Sequence, residues 1–278
     1  MTAGELCTAR SGDGTTIAYE RAGSGPPLVM VGGAFNTREV FRPLAEQLGD
    51  AFTTVLVDRR GRGDSGDAIV PHEAFAYTVD REVEDLEAVV AAEGGSAAVL
   101  GFSSGANLAL HAAAAGLPVT ALVLYEAPFS LAGLPAAAPD VPRRLAALVA
   151  EGHLGDAVAT MQREVIGLPA AMVEQARQSP VWHDLEELAQ TCVYDATITA
   201  APNVPTPAMR AVDVPTLVVC GEQTWPGLRA AGAALTAELA SARYVEVPGG
   251  AGHGIAVEAT AALLRAELAG GGRPSGAA

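Results

Sequence analysis

Short runs of apolar, mainly β-branched residues alternate along the chain with longer segments that are rich in Ala and Leu. Apolar runs of about four to eight residues bounded by turn residues are typical of buried strands, whereas the longer segments have helical periodicity. Strands that alternate with helices predict βαβ units and a mostly parallel sheet. The strands predicted in this way are Leu28–Val31, Thr53–Val57, Ala97–Gly101, Ala121–Tyr125, Thr216–Cys220 and Arg243–Val247.

The beginning of the chain predicts a hairpin instead of a βαβ unit. Glu5–Arg10 and Thr15–Arg21 flank the turn sequence Gly12-Asp13-Gly14, so these two runs are expected to pair as antiparallel strands at the edge of the sheet. Together with the parallel strands they make about eight. The predicted fold class is therefore α/β, with a mostly parallel eight-stranded sheet flanked by helices.

The alternation of strands and helices stops after Pro128. Residues 131–210 have helical periodicity with Pro and Gly punctuation and no convincing strand. We interpret them as a helical cap, or lid, inserted into a core that is formed by residues 1–130 and 211–270. The predicted cap helices are Arg143–Glu151, Gly155–Val165, Ala170–Gln178 and Leu185–Cys192, and residues 271–278 are expected to be a flexible tail.

Composition and charge narrow the class of protein. A chain of 278 residues that is 50% hydrophobic can bury a large core. Its 17 basic residues, all Arg, and 32 acidic residues give a net charge of −15, which repels phosphate backbones and anionic membranes. We therefore expect a small-molecule substrate as partner, with no nucleic acid and no membrane. Three cysteines without metal-ligand spacing, and no recognisable signal sequence, predict a cytoplasmic protein without a metal site.

The pentapeptide Gly101-Phe102-Ser103-Ser104-Gly105 is the first candidate for chemistry. It matches G-x-S-x-G, follows an apolar run and precedes a helical one. This strand–turn–helix context is what a nucleophile elbow requires, because the serine must sit on a sharp turn that the flanking glycines permit. A serine that merely caps the helix would satisfy the pentapeptide alone, so other motifs must decide.

Three further segments make the chain resemble an α/β-hydrolase with a cap domain over nearly its whole length. Leu28–Phe35 resembles the strand and glycine loop that lend a backbone N–H to an oxyanion hole. Asp58–Ser65 is similar to D-x-R-G-x-G-x-S, and Pro248–Gly254 is similar to the late loop that carries a catalytic histidine. The resemblance implies a cofactor-free serine esterase with a catalytic triad, in which Ser103 is the nucleophile and His253 the general base.

The third member of the triad departs from the family pattern. The family places an acid as G-x-x-D after the strand that follows the cap, but here Gly221-Glu222-Gln223-Thr224 ends in threonine. Glu126, at the end of Ala121–Tyr125, is the preferred replacement and preserves the chain order serine, acid, histidine. Glu222, a cap acid such as Asp195, and a Ser–His dyad without an acid are the alternatives.

The resemblance also implies an oxyanion hole built from the backbone N–H groups of Ala34 and Ser104. Gly32 stands where many members of the family have His, and the arginines of Asp58–Ser65 are interpreted as structural. Large apolar side chains suggest an apolar or aromatic group on the substrate. The candidate lining residues are Phe35, Phe102, Phe129, Met161, Met172, Trp182, Met209 and Trp225.

Two functions of different classes follow from these observations. The first is hydrolysis of an ester or related acyl bond through an acyl-enzyme; thioester, lactone and carbon–carbon substrates use the same machinery. Alkyl-enzyme chemistry of the epoxide hydrolase kind is excluded, because it needs Asp where Ser103 stands. The second is a ligand-binding protein or biosynthetic cyclase or lyase without efficient acyl hydrolysis, suggested by the missing G-x-x-D acid.

Overall fold

The computed structural model describes residues 4–268 and contains an eight-stranded sheet of order β1-β2-β4-β3-β5-β6-β7-β8. Strand β2 is antiparallel to both of its neighbours and the remaining pairs are parallel, which confirms the predicted hairpin and fold class. The predicted tail, residues 271–278, lies outside the described residues. The strands are β1 (Glu5–Arg10), β2 (Thr16–Gly23), β3 (Pro27–Val31), β4 (Thr53–Val57), β5 (Ala97–Phe102), β6 (Val119–Tyr125), β7 (Thr216–Gly221) and β8 (Ala242–Val247).

Alternating side chains along the strands build two apolar layers, because successive residues of a strand point to opposite faces. In β3, Leu28 and Met30 belong to one buried cluster, whereas Val29 and Val31 belong to the other. Helices contribute to both clusters and so cover both faces of the sheet. The first face carries α1 (Arg42–Leu48) and α11 (Val257–Leu268), and the second carries α2 (Val79–Ala92), α3 (Ser104–Ala115) and α10 (Pro226–Glu238).

The segment between β6 and β7 is helical. Its elements are α4 (Val141–Ala150), α5 (Leu154–Thr160), a π-helical turn (Met161–Val165), α6 (Ala170–Arg177), α7 (Val181–Glu187), α8 (Ala189–Ile198) and α9 (Pro207–Arg210), and 3₁₀ turns cover Arg38–Phe41 and Pro71–Ala76 elsewhere. The predicted single helix Leu185–Cys192 is wrong. Leu188, at φ −94° and ψ 5°, separates α7 from α8 and donates its N–H to the carbonyl of Leu185. The division into core and cap stays a prediction.

The parallel strands end on the same side of the sheet, where ligands bind in open α/β sheets. The turn after β5, the end of β6 and the loop after β8 meet there, as described below. None of the helices described within residues 4–268 is long and apolar enough to cross a membrane.

Candidate active site

Ser103 occupies the turn between β5 and α3, with φ 56° and ψ −129°. Two glycines make this turn possible. A Cβ on Gly101 would lie 2.3 Å from the carbonyl oxygen of Gly105, and a Cβ on Gly105 would lie 2.3 Å from that of Val31. Both distances are far inside van der Waals contact, so strand, turn and helix approach each other this closely only because neither residue carries a side chain.

The structure brings Ser103, His253 and Glu126 into one line of contacts. The imidazole Nε2 of His253 lies 3.0 Å from the Ser103 hydroxyl, and its Nδ1 lies 2.5 Å from Oε2 of Glu126. The other carboxylate oxygen of Glu126 accepts the backbone N–H of Gly221 at 3.0 Å. Glu126 is fully buried, and these contacts satisfy both of its oxygens, as a buried carboxylate requires.

A glycine-rich loop after β8 presents His253. Gly250 packs against Gly221 at the end of β7 so closely that a Cβ on Gly250 would lie 2.8 Å from the Cα of Gly221. The Tyr125 hydroxyl, at the end of β6, accepts the backbone N–H of Ala256 at 3.0 Å. Strand ends β6 and β7 therefore hold the histidine loop, while the Trp225 ring stacks on the imidazole at 5.2 Å between centroids.

The other candidate acids lie elsewhere. Thr224, at the family position of the acid, is buried, and its hydroxyl has no hydrogen-bond partner among residues 4–268. Glu222 is exposed, and among those residues the imidazole of His253 bonds Glu126 and Ser103 instead. Asp195, on α8, contacts Ser104 and two arginines instead of the imidazole. Among the described residues, Glu126 is the carboxylate in contact with His253.

Backbone strain is concentrated at these residues. Within residues 4–268, five residues other than glycine have positive φ: Phe35, Ser103, Glu126, Ala132 and His253. Such conformations cost about 1–3 kcal/mol each and persist only where the surroundings impose them. The three aligned residues all belong to this set, so the chain holds each of them at a local conformational cost.

Two backbone N–H groups flank the serine hydroxyl. Ser104 is the first residue of α3, so its N–H has no intrahelical acceptor. In the loop after β3, Asn36 Oδ1 accepts the N–H of Gly33 at 3.1 Å, and the N–H of Ala34 has no acceptor among residues 4–268. A Cβ on Gly33 would lie 2.6 Å from Cβ of Ser103, so the loop lies directly against the serine. Ala34 and Ser104 are therefore available to bind an oxyanion.

A buried ionic cluster that sequence reasoning did not foresee lies behind this loop. Arg59 and Arg62, interpreted from sequence as structural, both donate to Asp195 at 2.7 Å. Burial raises the pKa of the Asp195 carboxyl, but the two guanidinium groups outweigh burial and hold the pKa below its ordinary value. The sequence does show three arginines within four positions, which is a signal for buried ion pairs. Asp195, however, lies more than a hundred residues away, so the sequence could not identify it as the partner of Arg59 and Arg62.

The serine and histidine open onto a cavity of about 510 Å³. Of the candidate lining residues, Phe102, Met161 and Trp225 line this cavity. The remaining ones do not: Phe129 and Met209 are buried in the core, Trp182 is buried against Glu186 and Arg177, Met172 is exposed, and Phe35 packs on the core. The sequence did not indicate the other lining residues, which include Asn36, Leu134, Arg163, Ile166, Thr199, Asn203 and Leu228.

The side chains of the site can therefore transfer a proton, and the two N–H groups can stabilise an anion. Across residues 4–268, no group of three or more His, Cys, Asp or Glu side chains is arranged to hold a metal ion. A hydroxyl in contact with an imidazole, an imidazole in contact with a carboxylate, and two free N–H groups are the components of nucleophilic acyl transfer.

Comparison with known proteins identifies a family and several relatives. The model of the alpha/beta hydrolase family matches residues 28–266. The 2-(acetamidomethylene)succinate hydrolase of Mesorhizobium japonicum is 29% identical over 247 residues, which cover 86% of this chain and 85% of that protein. The N-formylmaleamate deformylase of Pseudomonas putida is 37% identical over 123 residues, which cover 43% of this chain and 44% of that protein. A solved alpha/beta hydrolase from Sphaerobacter thermophilus is 44% identical, with a TM-score of 0.83 over 93% of this chain and 98% of that one.

Proposed function

The chain belongs to the alpha/beta hydrolase family, and from this premise we propose that it is a cofactor-free serine hydrolase that cleaves an ester or related acyl bond. The observation that carries the proposal is the unbroken line of contacts from Ser103 through His253 to Glu126. A serine hydroxyl is a weak nucleophile until an imidazole accepts its proton, and a buried carboxylate stabilises the imidazolium that results.

In the proposed reaction, the Ser103 oxygen attacks the acyl carbon while His253 takes the hydroxyl proton. The N–H groups of Ala34 and Ser104 bind the oxyanion of the tetrahedral intermediate. His253 then gives its proton to the leaving group, and an acyl-enzyme remains. Water, deprotonated by His253, attacks the acyl carbon in the second half and restores the free serine.

The alternative of a binding protein or cyclase loses its main support. It was suggested by the missing acid at Thr224, and Glu126 makes the contact that an acid at that position would make. Two of the sequence relatives are a hydrolase and a deformylase by name.

Covalent labelling tests the proposal. A fluorophosphonate probe should add its mass to the peptide that contains Ser103, and the protein should hydrolyse a p-nitrophenyl ester. The Ser103→Ala variant should do neither, whereas Ser241→Ala, whose hydroxyl makes an exposed hydrogen bond to Asp213 just before β8, should keep both properties. Label on Ser104 instead, or turnover that persists in Ser103→Ala, would contradict the assignment.

One observation favours a substrate that carries a carboxylate. Arg163 lines the cavity from the π-helical turn, and no ion pair to its guanidinium is found among residues 4–268, whereas the neighbouring Glu164 pairs with Arg144 at 2.6 Å. A guanidinium is well suited to bind a carboxylate. The names of the two sequence relatives, a succinate and a maleamate, also denote carboxylate compounds.

Paired substrates test this second proposal. Arg163→Gln should lower kcat/KM for p-nitrophenyl hemisuccinate by about 5- to 10-fold, the scale of one ordinary hydrogen bond at a solvent-exposed guanidinium, and should leave p-nitrophenyl butyrate nearly unchanged. Arg243→Gln, on the sheet edge and paired with Glu267, is the matched control and should affect neither ester. Equal effects of Arg163→Gln on both esters would exclude recognition of the charge.

A further inference from the structure

The loop that faces Ser103 is held from behind by two buried arginines. Arg62 Nη1 donates to the carbonyl oxygen of Gly33 at 2.5 Å, and Arg59 Nη1 donates to that of Gly32 at 3.2 Å. Both guanidinium groups are almost completely excluded from solvent. Position 32 is glycine, so no side chain of that residue braces the loop and the two arginines hold it through its carbonyl groups.

The contact with Gly33 acts on the peptide that supplies an oxyanion donor. The carbonyl of Gly33 and the N–H of Ala34 belong to the same peptide group, which is planar, with its C=O and N–H pointing in opposite directions. A guanidinium that holds the carbonyl on one side therefore directs the Ala34 N–H to the other side. It also polarises that N–H, because hydrogen bonds in a chain strengthen one another.

Asp195 connects the same arginines to the second donor. Its Oδ1 accepts the Ser104 hydroxyl at 2.7 Å and its Oδ2 accepts Arg62 at 2.7 Å. Ser104 supplies the other free N–H, at the start of α3. A single carboxylate on α8 thus contacts the residue that bears one donor and the arginine that holds the peptide of the other.

We propose that Arg62 and Asp195 are positioning residues for the oxyanion hole, fixing the peptide of Ala34 and the side chain of Ser104 relative to each other. The inference rests on the proposed function, since it assigns a role within that reaction. The two N–H donors are fixed before negative charge develops on the substrate. We therefore expect them to stabilise the tetrahedral intermediate and not the bound substrate.

Two substitutions of different severity test the proposal. Arg62→Met should lower kcat for p-nitrophenyl butyrate by about 10- to 100-fold, less than the loss of a whole oxyanion donor, with KM within about 3-fold. The inhibition constant of an alkyl trifluoromethyl ketone, which forms a tetrahedral adduct on serine, should rise by the same factor as kcat falls. Arg62→Lys, which keeps the charge, should recover part of the loss.

If Arg62→Met does not fold, Ser104→Ala provides the test. This variant keeps the backbone N–H of residue 104 and leaves Asp195 paired with both arginines. We expect kcat to fall by about 3- to 10-fold with KM unchanged, the scale of one ordinary hydrogen bond. The controls are Ser65→Ala, whose hydroxyl bonds Asp58 and Ala18, and Arg60→Met, a buried arginine paired with Asp85. Folded samples of both should keep wild-type kcat.

The outcomes separate this inference from the proposed function. If wild-type protein takes no fluorophosphonate and turns over no ester, the proposed function fails and the positioning role falls with it. If the wild type is labelled, but Arg62→Met and Ser104→Ala keep kcat and ketone affinity, the positioning role alone is overturned. Losses that appear in KM, or that the folded Arg60→Met variant reproduces, would overturn it equally.

Discussion

Glu126 supports the imidazole of His253 from the end of β6, whereas the usual family position, after β7, holds the neutral Thr224. β6 and β7 are neighbours in the sheet, and the ends of both strands contact the histidine loop. A carboxylate on either strand end can therefore reach Nδ1. The bond from Gly221 on β7 to Glu126 joins the two positions directly.

Replacing the carboxylate of Glu126 with an amide tests whether its charge supports the imidazole of His253. Glu126→Gln should lower kcat by about 10²- to 10⁴-fold, because an amide neither stabilises the imidazolium nor selects the correct tautomer. Steady-state hydrolysis of p-nitrophenyl butyrate measures the effect. Glu222→Gln, which changes an exposed acid two residues before Thr224, should stay within about 2-fold of wild type on the same scale. The opposite ranking would move the acid to Glu222.

Local motifs predicted Ser103 and His253 because a tight turn needs its glycines within a few residues of the reactive side chain. Glu126 was predicted less directly, from strand order. The cluster of Arg59, Arg62 and Asp195 could not be predicted, since its contacts join positions 133 or more residues apart. Sequence spacing carries no information about such contacts.

Among the elements, the strands were predicted best, because buried parallel strands are short, continuous apolar runs with clear punctuation. The helices between β6 and β7 were predicted less well. The break at Leu188 lies in a segment whose apolar residues keep helical spacing, at positions 185, 188, 189 and 192, so periodicity alone does not detect it. The same limit affects Trp182, whose helical position gave no sign that its ring turns toward Glu186 and not toward the cavity.

The π-helical turn after α5 places Met161 on the cavity wall, and we expect this side chain to limit the length of the acyl chain that fits. Met161→Ala should enlarge the cavity and raise the ratio of kcat/KM for p-nitrophenyl octanoate over butyrate by about tenfold, the scale of a few methylene contacts. Met172→Ala, on the exposed side of α6, is the matched control, and its ratio should not change. Equal ratios in both variants would remove Met161 from substrate selection.

At the scale of the whole molecule, buried arginines join parts of the chain that are distant in sequence. Arg60 is fully buried after β4 and bonds Asp85 on α2, Asp13 in the first hairpin, and the carbonyl of Arg81. It therefore connects the antiparallel edge of the sheet to the helix that covers it. In a protein with a net charge of −15, acidic residues repel one another. They stabilise the fold only where a basic residue pairs with them, as Arg60 pairs with Asp85.

Removal of Arg60 should destabilise the fold strongly. Arg60→Met leaves Asp85 buried without its partner, and we expect the free energy of unfolding in urea to fall by about 3–5 kcal/mol. Arg144→Met, which breaks the exposed pair with Glu164, should cost less than about 1 kcal/mol. If the two variants unfold at the same urea concentration, the buried arginine does not join the edge of the sheet to the core.

The positive φ angles of Ser103 and His253 bear on how such a chain evolves. Glycine adopts this conformation without the cost of roughly 1 kcal/mol or more that a side chain brings. A gene copy released from selection for turnover would therefore gain stability by mutation to glycine at these two positions, while the core stayed under selection for folding. Inactive descendants of this protein should lose Ser103 and His253 early, through relief of strain, and should still fold.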